Sequence, residues 1–357
     1  MPKFIRTISK FLAILIGAIL AVSAACLGLA LFFNTPPEDP PSIPQGVETI
    51  KKTEDGSYIV EIRSGDTAMA VGKRLADANI IRSRLFWNVL SRINPEHIKA
   101  GVYSLDLPMT QFEIRSLLVS GRQILVRVTI PEGSTLKKNA AILEAAGICG
   151  AEEFLAAAAD PEITAKYRVP GETMEGYLYP DTYLFPQGFP AARVVQTMAD
   201  TFFSRLRQAF PEADSLTPDE LNQRVIIASI VEREYRIPDE APLMAGVFYN
   251  RLRIGMPLQS CATVEYIITE IQGRPHPERL FTRDTEIRDP YNTYIRPGLP
   301  PGPISAPGMV ALRASFEPAA STYLYFRVAD PSTGRHYFSE TLDDHIRAGV
   351  LYLKGSF

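Results

Sequence analysis

Glu232 is the residue whose surroundings in the sequence most clearly predict chemistry. It follows an apolar run in segment 221–236, LNQRVIIASIVEREYR, which is hydrophobic around most of a predicted helix. A carboxyl at the end of such a buried helix is desolvated, so we expect a raised pKa that suits a general acid near neutral pH. Glu234 lies about 200° further round the helix and cannot share that face. Spacing alone favours a plainer interpretation, a salt bridge from Glu232 to Arg233 or Arg236 at a frayed helix end.

Other familiar catalytic and metal-binding patterns are weak in this chain. The four histidines are scattered, and Cys26, Cys149 and Cys261 lack the spacing of metal ligands or of a disulfide framework. We therefore expect no metal and no cofactor. Ser134 and Lys137 match the S-x-x-K pattern of penicillin-binding serine enzymes, but no K-T-G or S-D-N element follows. Ser134 is more simply the N-cap of a helix.

Length and charge limit the class of protein. The chain has 357 residues, 46% of them hydrophobic, which is enough for about two domains with real cores. Its formal net charge is −3, whereas nucleic-acid binding needs a basic face. We therefore expect no nucleic-acid partner.

An uncharged apolar run covers residues 11–33 and is long enough to cross a bilayer. Three basic residues precede it, and Glu38 and Asp39 follow it, with no further basic residue until Lys51. The positive-inside rule then predicts a single-pass protein of the cell inner membrane, with residues 1–10 in the cytoplasm and the rest exported. A cleaved signal peptide or a lipoprotein site at 23–26 is the alternative, and either also exports the chain.

Beyond this run the sequence divides into a linker, a small unit and a large unit. Residues 34–50 are rich in proline and predict an extended, semi-rigid linker. Residues 51–125 read as strand, helix, helix, strand and helix, an order that resembles the LysM-type glycan-binding module. Residues 126–357 combine several helices with a few strands, and a loop is predicted over 171–188. The predicted class is α+β: an N-terminal transmembrane helix, a small LysM-like lobe and a larger mixed lobe with the acid on a buried helix.

Long motifs in the large unit resemble one known family. They are VTIPEGSTL (128–136), EGYLYPDTYLFP (175–186), ASIVEREY (228–235), AGVFYNRLRIGMPLQS (245–260) and YNTYIRPGLPPGPISAPG (291–308). All of them resemble the YceG-like family of membrane-anchored endolytic murein transglycosylases. The resemblance implies that Glu232 is the catalytic residue, that nascent glycan strands of peptidoglycan are the substrate, and that synthases of the elongation or division machinery are partners.

The same resemblance implies a reaction that needs a single carboxyl. The family cleaves the MurNAc–GlcNAc β-1,4 bond without water and leaves 1,6-anhydro-MurNAc ends, which limits the length of glycan strands. Glu232 would protonate the leaving oxygen and then accept the proton of the sugar's C6 hydroxyl as that hydroxyl attacks. A hydrolase would usually need a second carboxylate.

Two groups of polar and aromatic residues are candidates for holding the sugar rings. Tyrosine suits amino-sugars because it offers an apolar face and a hydroxyl. The first group is Gln259, Ser260, Tyr291, Asn292, Thr293 and Tyr294, and the second includes Tyr179 and Tyr183. Packing within the core or a loop is the alternative interpretation of each.

The sequence departs from the family pattern at one place. Where the family typically has Asp-Pro, this chain has Cys261-Ala262. An altered activity at this position is one interpretation, and a membrane-tethered peptidoglycan-binding or cell-division scaffold without catalysis is the alternative function. Dependence on the Glu232 carboxyl distinguishes the enzyme from the scaffold.

Overall fold

The computed structural model describes residues 2–44, 49–53, 56–63, 65–122 and 125–353. The chain divides into two compact units. The first unit is Met1–Leu125 with Pro186–Gly188, and the second is Val126–Phe185 with Phe189–Phe357. Both units mix helices and strands, which confirms the predicted α+β class.

An antiparallel sheet and the helices that cover it form the first unit. In its described part the elements are α1 (Pro2–Asn34), β1 (Ile50–Lys52), β2 (Tyr58–Ile62), α2 (Ala68–Asp77), α3 (Arg84–Ile93), β3 (Gly101–Leu105) and α4 (Gln111–Ser120). β2 is the central strand and pairs with β1 and β3. Alternate residues of β2 are buried, so one face of the sheet supplies the core. The order from β2 to α4 is the predicted one. β1 was not predicted. The Ser-Gly-Asp sequence of 64–66 also predicts a turn after β2, and Ser64 lies outside the described residues.

Helix α1 carries the apolar run and is attached to the rest of the first unit at its carboxyl end. Its segment Ile14–Asn34 is apolar and long enough to cross a membrane by length and composition. The Gln111 side-chain amide donates to the Phe33 carbonyl at 2.8 Å, and the Phe112 N–H donates to the Asn34 side chain at 3.0 Å. These bonds satisfy groups that a helix end leaves unpaired.

The proline-rich segment that follows α1 is also bonded to the first unit. The Arg82 guanidinium donates to the Pro36 carbonyl at 2.9 Å, and the Asn79 amide donates to the Asp39 carbonyl at 3.0 Å. The Ser42 N–H donates to the Ala78 carbonyl at 3.1 Å. Residues 36–42 therefore lie along the loop between α2 and α3, where the sequence predicted an extended linker.

The second unit is built mainly from helices around one hydrophobic core. Its described elements are β4 (Leu125–Thr129), α5 (Leu136–Ala145), α6 (Ala151–Ala158), α7 (Pro161–Lys166), β5 (Thr182–Pro186), α8 (Ala191–Ala209), α9 (Pro218–Glu234), α10 (Ala241–Arg253), α11 (Cys261–Tyr266), α12 (Met309–Phe316), β6 (Tyr325–Asp330), β7 (Arg335–Ser339) and α13 (Leu342–Leu353). β4 pairs with β5, and β6 pairs with β7. Helix α9 packs against α10, α11 and α12, which places it at the centre of the unit.

Strand β5 corrects the loop predicted over 171–188. Tyr183 and Phe185 are buried while Leu184 between them is exposed, which is the alternation of a strand with one covered face. The Asp, Pro and Gly residues around it obscured that period of two. The alternation of residues 123–130 also predicts a strand. It corresponds to β4, which begins at Leu125, and Gln123 itself lies outside the described residues.

Candidate active site

Helix α9 carries Glu232 near its carboxyl end. Thr217 and Glu220 form a capping box that starts the helix, and Pro218 occupies its first turn. The seven residues of 225–231 are all buried, which anchors the helix in the core. The helix ends at Glu234, so Glu232 lies in its last turn.

A backbone amide holds the Glu232 carboxyl in place. The Gly308 N–H donates to Glu232 Oε2 at 2.8 Å. Burial raises the pKa of Glu232 to about 7, and the charge of Glu132 adds to that rise; the hydrogen bonds from Gly308 and Tyr235 oppose it. A carboxyl with this pKa is partly protonated at neutral pH and can both give and take a proton. Burial therefore determines the protonation state of Glu232. The salt bridge to Arg233 or Arg236 that spacing favoured is not formed in the part of the chain that the structure describes.

The loop that supplies Gly308 is bonded on both sides. The Ile304 N–H donates to Ser229 Oγ, and the Ser305 hydroxyl donates to the Ser229 carbonyl, both at 3.0 Å. On the other side, Gly133 N–H donates to the Ala306 carbonyl and Ala306 N–H to the Ser134 carbonyl, each at 2.8 Å. The loop therefore joins α9 to the segment before α5 and fixes the amide that meets Glu232.

Removing the Ser229 hydroxyl should weaken this loop. In Ser229→Ala the Ile304 N–H is buried without an acceptor, so we expect unfolding free energy to fall by about 1–3 kcal/mol. Ser315→Ala is the matched control, since Ser315 is also fully buried and its hydroxyl bonds only to the Leu312 carbonyl in its own helix. Urea unfolding measures both, and equal losses in the two variants would contradict the role assigned to Ser229.

Glu132 is a second carboxyl at this site that sequence reasoning missed. Glu132 is exposed. If Gly308 carried a Cβ atom, that atom would lie only 1.9 Å from Glu132 Oε1, so the carboxyl packs directly on this glycine. The carboxyls of Glu132 and Glu232 therefore flank the same glycine. The signal was present in the motif VTIPEGSTL, but the two glutamates are one hundred positions apart. The loop around Ala306 and the packing of Gly133 against Glu232 bring them together.

The charge of Glu132 should be visible in the titration of Glu232. A nearby anion disfavours ionisation, so Glu132→Gln is expected to lower the pKa of Glu232. Carbon-13 NMR of labelled glutamate carboxyls measures this pKa, and Glu232→Gln identifies the signal. Exposed Glu152, in the first turn of α6, provides the control substitution Glu152→Gln. An unchanged Glu232 titration in Glu132→Gln would show that the two carboxyls do not interact.

Of the two predicted tyrosines, Tyr179 lies at the Glu232 site. It is partly exposed, and the charges of Glu132 and Glu232 both help to raise its pKa. Tyr183 is buried, donates its hydroxyl to the Tyr179 carbonyl at 2.6 Å and stacks on Phe185. Tyr183 therefore supports the backbone of Tyr179 from behind.

The other predicted group collects around Glu234, on a different side of α9. The Ser260 hydroxyl donates to Glu234 Oε1, and the Ser260 N–H donates to Thr293 Oγ1 at 3.1 Å. Thr293 and Asn292 are buried, and the Asn292 amide donates to backbone carbonyls within its own loop. These contacts favour a positioning role for the two residues.

Three further members of this group reach the surface of the unit. Gln259 is exposed, and its backbone φ of 53° lies in the left-handed region. Tyr294 is partly exposed, with its hydroxyl 3.0 Å from Cys261 Sγ. Tyr291 is partly exposed and packs on Tyr266, with ring centroids 5.1 Å apart. Burial and the charge of nearby Glu175 raise the pKa of both Tyr291 and Tyr266, so Tyr291 lies near Glu175 and apart from the residues around Glu234.

Glu175 is another buried carboxyl that sequence reasoning did not single out. It is 7% exposed, and its Oε2 accepts from the Leu136 N–H at 3.1 Å. Burial raises its pKa to about 8, against hydrogen bonds from Leu136, Gly176 and Tyr266 that lower it. Glu175 thus caps the amino end of α5 while holding a proton at neutral pH.

Comparison with known proteins establishes the family. The model of the YceG-like family matches residues 60–349. The chain belongs to the YceG-like family. The resemblance that the motifs indicated is therefore confirmed, and the matched region includes Glu132, Glu175 and Glu232.

Named relatives and a solved structure of the YceG-like type cover most of the chain. An endolytic murein transglycosylase of Streptococcus pneumoniae (strain D39) is 30% identical over 317 residues, which are 81% of this chain and 57% of the relative. One from Bacillus subtilis (strain 168) is 28% identical over 86% of this chain and 88% of the relative. The crystal structure of a yceG-like protein from Listeria monocytogenes is 28% identical, with a TM-score of 0.55 over 82% of this chain and 98% of that one. The chain thus spans just over half the length of the pneumococcal relative.

Proposed function

We propose that this YceG-like chain is an endolytic murein transglycosylase. It would cleave the MurNAc–GlcNAc β-1,4 bond within nascent peptidoglycan strands without water, leaving 1,6-anhydro-MurNAc ends and limiting strand length. Relatives from two bacteria carry that name. The observation that carries the proposal is the partly buried Glu232 carboxyl, fixed by the Gly308 amide, with its pKa raised to about 7.

In the proposed reaction Glu232 acts first as acid and then as base. Its proton passes to the glycosidic oxygen as the bond from that oxygen to C1 breaks, and GlcNAc leaves with a hydroxyl. The C6 hydroxyl oxygen of MurNAc then bonds to C1, and the Glu232 carboxylate takes the hydroxyl proton. The acid is restored, no water is consumed, and the product is the 1,6-anhydro sugar.

Neighbouring groups at Glu232 suit this cycle. The Gly308 N–H keeps Oε2 in one position in both protonation states. The Glu132 carboxylate favours the protonated form of Glu232 before the reaction and is suited to stabilising positive charge at C1 as the bond breaks. Tyr179 and Tyr235 lie near the acid and are the proposed partners of the sugar rings.

The proposed location is the cell inner membrane. Ile14–Asn34 is the candidate span, and the basic residues Lys3, Arg6 and Lys10 before it favour a cytoplasmic amino terminus with the rest of the chain outside. In that position glycan strands are the substrate close to the membrane, and synthases of the elongation or division machinery are the proposed partners.

The end groups of the products test the proposed reaction. The full chain in detergent is incubated with uncrosslinked glycan strands, and mass spectrometry identifies the new ends. We expect 1,6-anhydro ends. Reducing ends that carry an added water would instead indicate a hydrolase, with Glu132 as the carboxylate that activates water. Intact strands would contradict an enzymatic function.

A further inference from the structure

A second concave site lies beside Glu234, on the side of α9 away from Glu232. It is a half-open cavity of about 430 Å³, set between the loop before α11, strand β6 and helix α13. Polar residues in its lining include Glu234, Arg251, Gln259, Tyr294, Arg327 and His345. The proposed reaction at Glu232 does not use this cavity, although Gln259 and Tyr294 are among the residues predicted to hold the sugar rings.

Arg251 brings a buried positive charge to the cavity. It is 7% exposed, and its guanidinium Nε and Nη1 donate to the Leu324, Pro257 and Leu258 carbonyls at 2.6–3.1 Å. Nη2 takes part in none of these bonds. Among the described residues Arg251 has no ion-pair partner. A buried charge held only by neutral groups is costly, and an anionic ligand would offset that cost.

Arg327 and His345 add two further unsatisfied groups. The Nε of Arg327 and the Nδ1 of His345 are buried without a hydrogen-bond partner in the described structure. Arg327 also forms no ion pair within the described residues, and its Nη1 donates only to the His345 carbonyl at 3.3 Å. Burial lowers the pKa of His345, and the charges of Arg327 and Arg251 lower it further, so the imidazole lies in the positive potential of the two guanidinium groups. In the described structure the Arg327 Nε is a donor without an acceptor, which indicates that an acceptor is missing.

The acidic groups at the cavity do not cancel this charge. Glu240 pairs with His336, whose Nδ1 lies 2.8 Å from its carboxylate. Glu234 accepts the Ser260 hydroxyl, and burial raises the pKa of Glu234, which favours its neutral form. Two guanidinium groups therefore face the cavity without a committed anion.

We propose that this cavity binds a carboxylate of the peptide stem that hangs from the glycan strand. The inference rests on the proposed function for the identity of the ligand. Guanidinium groups pair with carboxylates through two parallel hydrogen bonds, and the Tyr294, Tyr325 and Phe326 rings in the lining suit the apolar parts of a short peptide. Glu232 and Glu234 point to different sides of α9 but lie about 3 Å apart along its axis, at the end of the helix, so the proposed path of a stem on the MurNAc being cut runs around this helix end.

Cys261 offers a way to change the charge of the cavity. It lines the cavity, is exposed, and has its Sγ 3.0 Å from the Tyr294 hydroxyl. An aspartate there would add an anion to the lining of the cavity and compete with a ligand carboxylate. An asparagine has the same shape without the charge. Cys261→Asp and Cys261→Asn therefore form a matched pair.

Calorimetric titration of the full chain in detergent tests binding without cleavage. The probe is the tripeptide L-Ala-γ-D-Glu-L-Lys, compared with the same tripeptide whose carboxyl groups are amidated. We expect the free acid to bind at least about tenfold more tightly, as one charge-assisted pair gives. Cys261→Asp and Arg327→Gln should each weaken the binding of the free-acid tripeptide by about tenfold. Cys261→Asn should bind it as tightly as the wild type. Equal binding of the two peptides, or equal binding to the Asp and Asn variants, would overturn the proposal.

Cleavage by the wild-type chain separates this inference from the proposed function. Strands that carry peptide stems and strands stripped of them are supplied together, and the ratio of their cleavage is measured. We expect stem-bearing strands to be preferred, and Cys261→Asp to bring the ratio towards one relative to Cys261→Asn. Anhydro ends without tripeptide binding would refute the cavity proposal alone. Tripeptide binding without any strand cleavage would refute the proposed function alone.

Discussion

Glu232→Gln is expected to reduce strand cleavage by about 10²–10⁴-fold, the contribution of a positioned general acid. The amide oxygen of glutamine can still accept the Gly308 N–H, so the geometry of the site is retained while the transferable proton is lost. New 1,6-anhydro ends, counted by mass spectrometry, provide the measurement. In the wild type, cleavage should fall as pH rises through about 7, because the protonated form of Glu232 begins the reaction.

Glu220→Gln is the control for this change. It makes the same substitution in the same helix, and glutamine can replace glutamate in the capping box with Thr217. We expect Glu220→Gln to cleave strands at the wild-type rate. Wild-type cleavage by Glu232→Gln would refute the catalytic assignment. Loss of cleavage in both variants would show that the substitutions act through the helix and not through the proton.

Glu175→Gln should change how the stability of the second unit depends on pH. The native pKa of Glu175 is about 8, above its unfolded value, so the folded protein holds a proton that the unfolded chain releases. The contribution of Glu175 to the free energy of unfolding is fully present below the pKa of the unfolded state, near pH 4.5. It is lost as pH rises to about 8. The loss is about 1.4 kcal/mol per pH unit in that window, hence several kcal/mol in all.

The slope of stability against pH is the quantity to compare. Urea unfolding at several values between pH 5 and pH 8 should give a shallower decline in Glu175→Gln than in the wild type. Using the slope sets aside any constant loss from altered hydrogen bonds to Leu136 or Tyr266. Glu152→Gln, at an exposed position, should keep the wild-type slope. Identical slopes for Glu175→Gln and the wild type would mean that Glu175 is ionised in the fold.

Local sequence patterns predicted the part of the candidate site that lies on α9. The apolar run of 225–231 fixes a buried helix, and the position of Glu232 after that run predicts desolvation. The separation of Glu232 from Glu234 follows from helical geometry alone. These features depend on residues within a few turns of one another, which is where sequence periodicity is informative.

The rest of the site depends on contacts between distant segments. Glu132 lies near Glu232 because its segment packs on α9 and bonds to the loop around Ala306, and Glu175 accepts hydrogen bonds from Leu136 and Tyr266 in other parts of the chain. No local pattern distinguishes Asn292, whose amide bonds inside its own loop, from a sugar-binding asparagine. Composition identified the correct kinds of residue there, but only tertiary packing determines which of them face outwards.

The attachment of the first unit to the end of α1 determines how far that unit can reach. Ten extended residues could place a tethered domain roughly 30 Å from a membrane helix. Here the hydrogen bonds of Gln111, Asn79 and Arg82 hold the end of α1 and the segment after it against the rest of the unit. That segment therefore cannot act as an extended linker. For a chain anchored by α1, the first unit would stay close to the surface of the bilayer. Inserting residues into 36–42 would not increase the distance between the first unit and the membrane unless these hydrogen bonds were also broken.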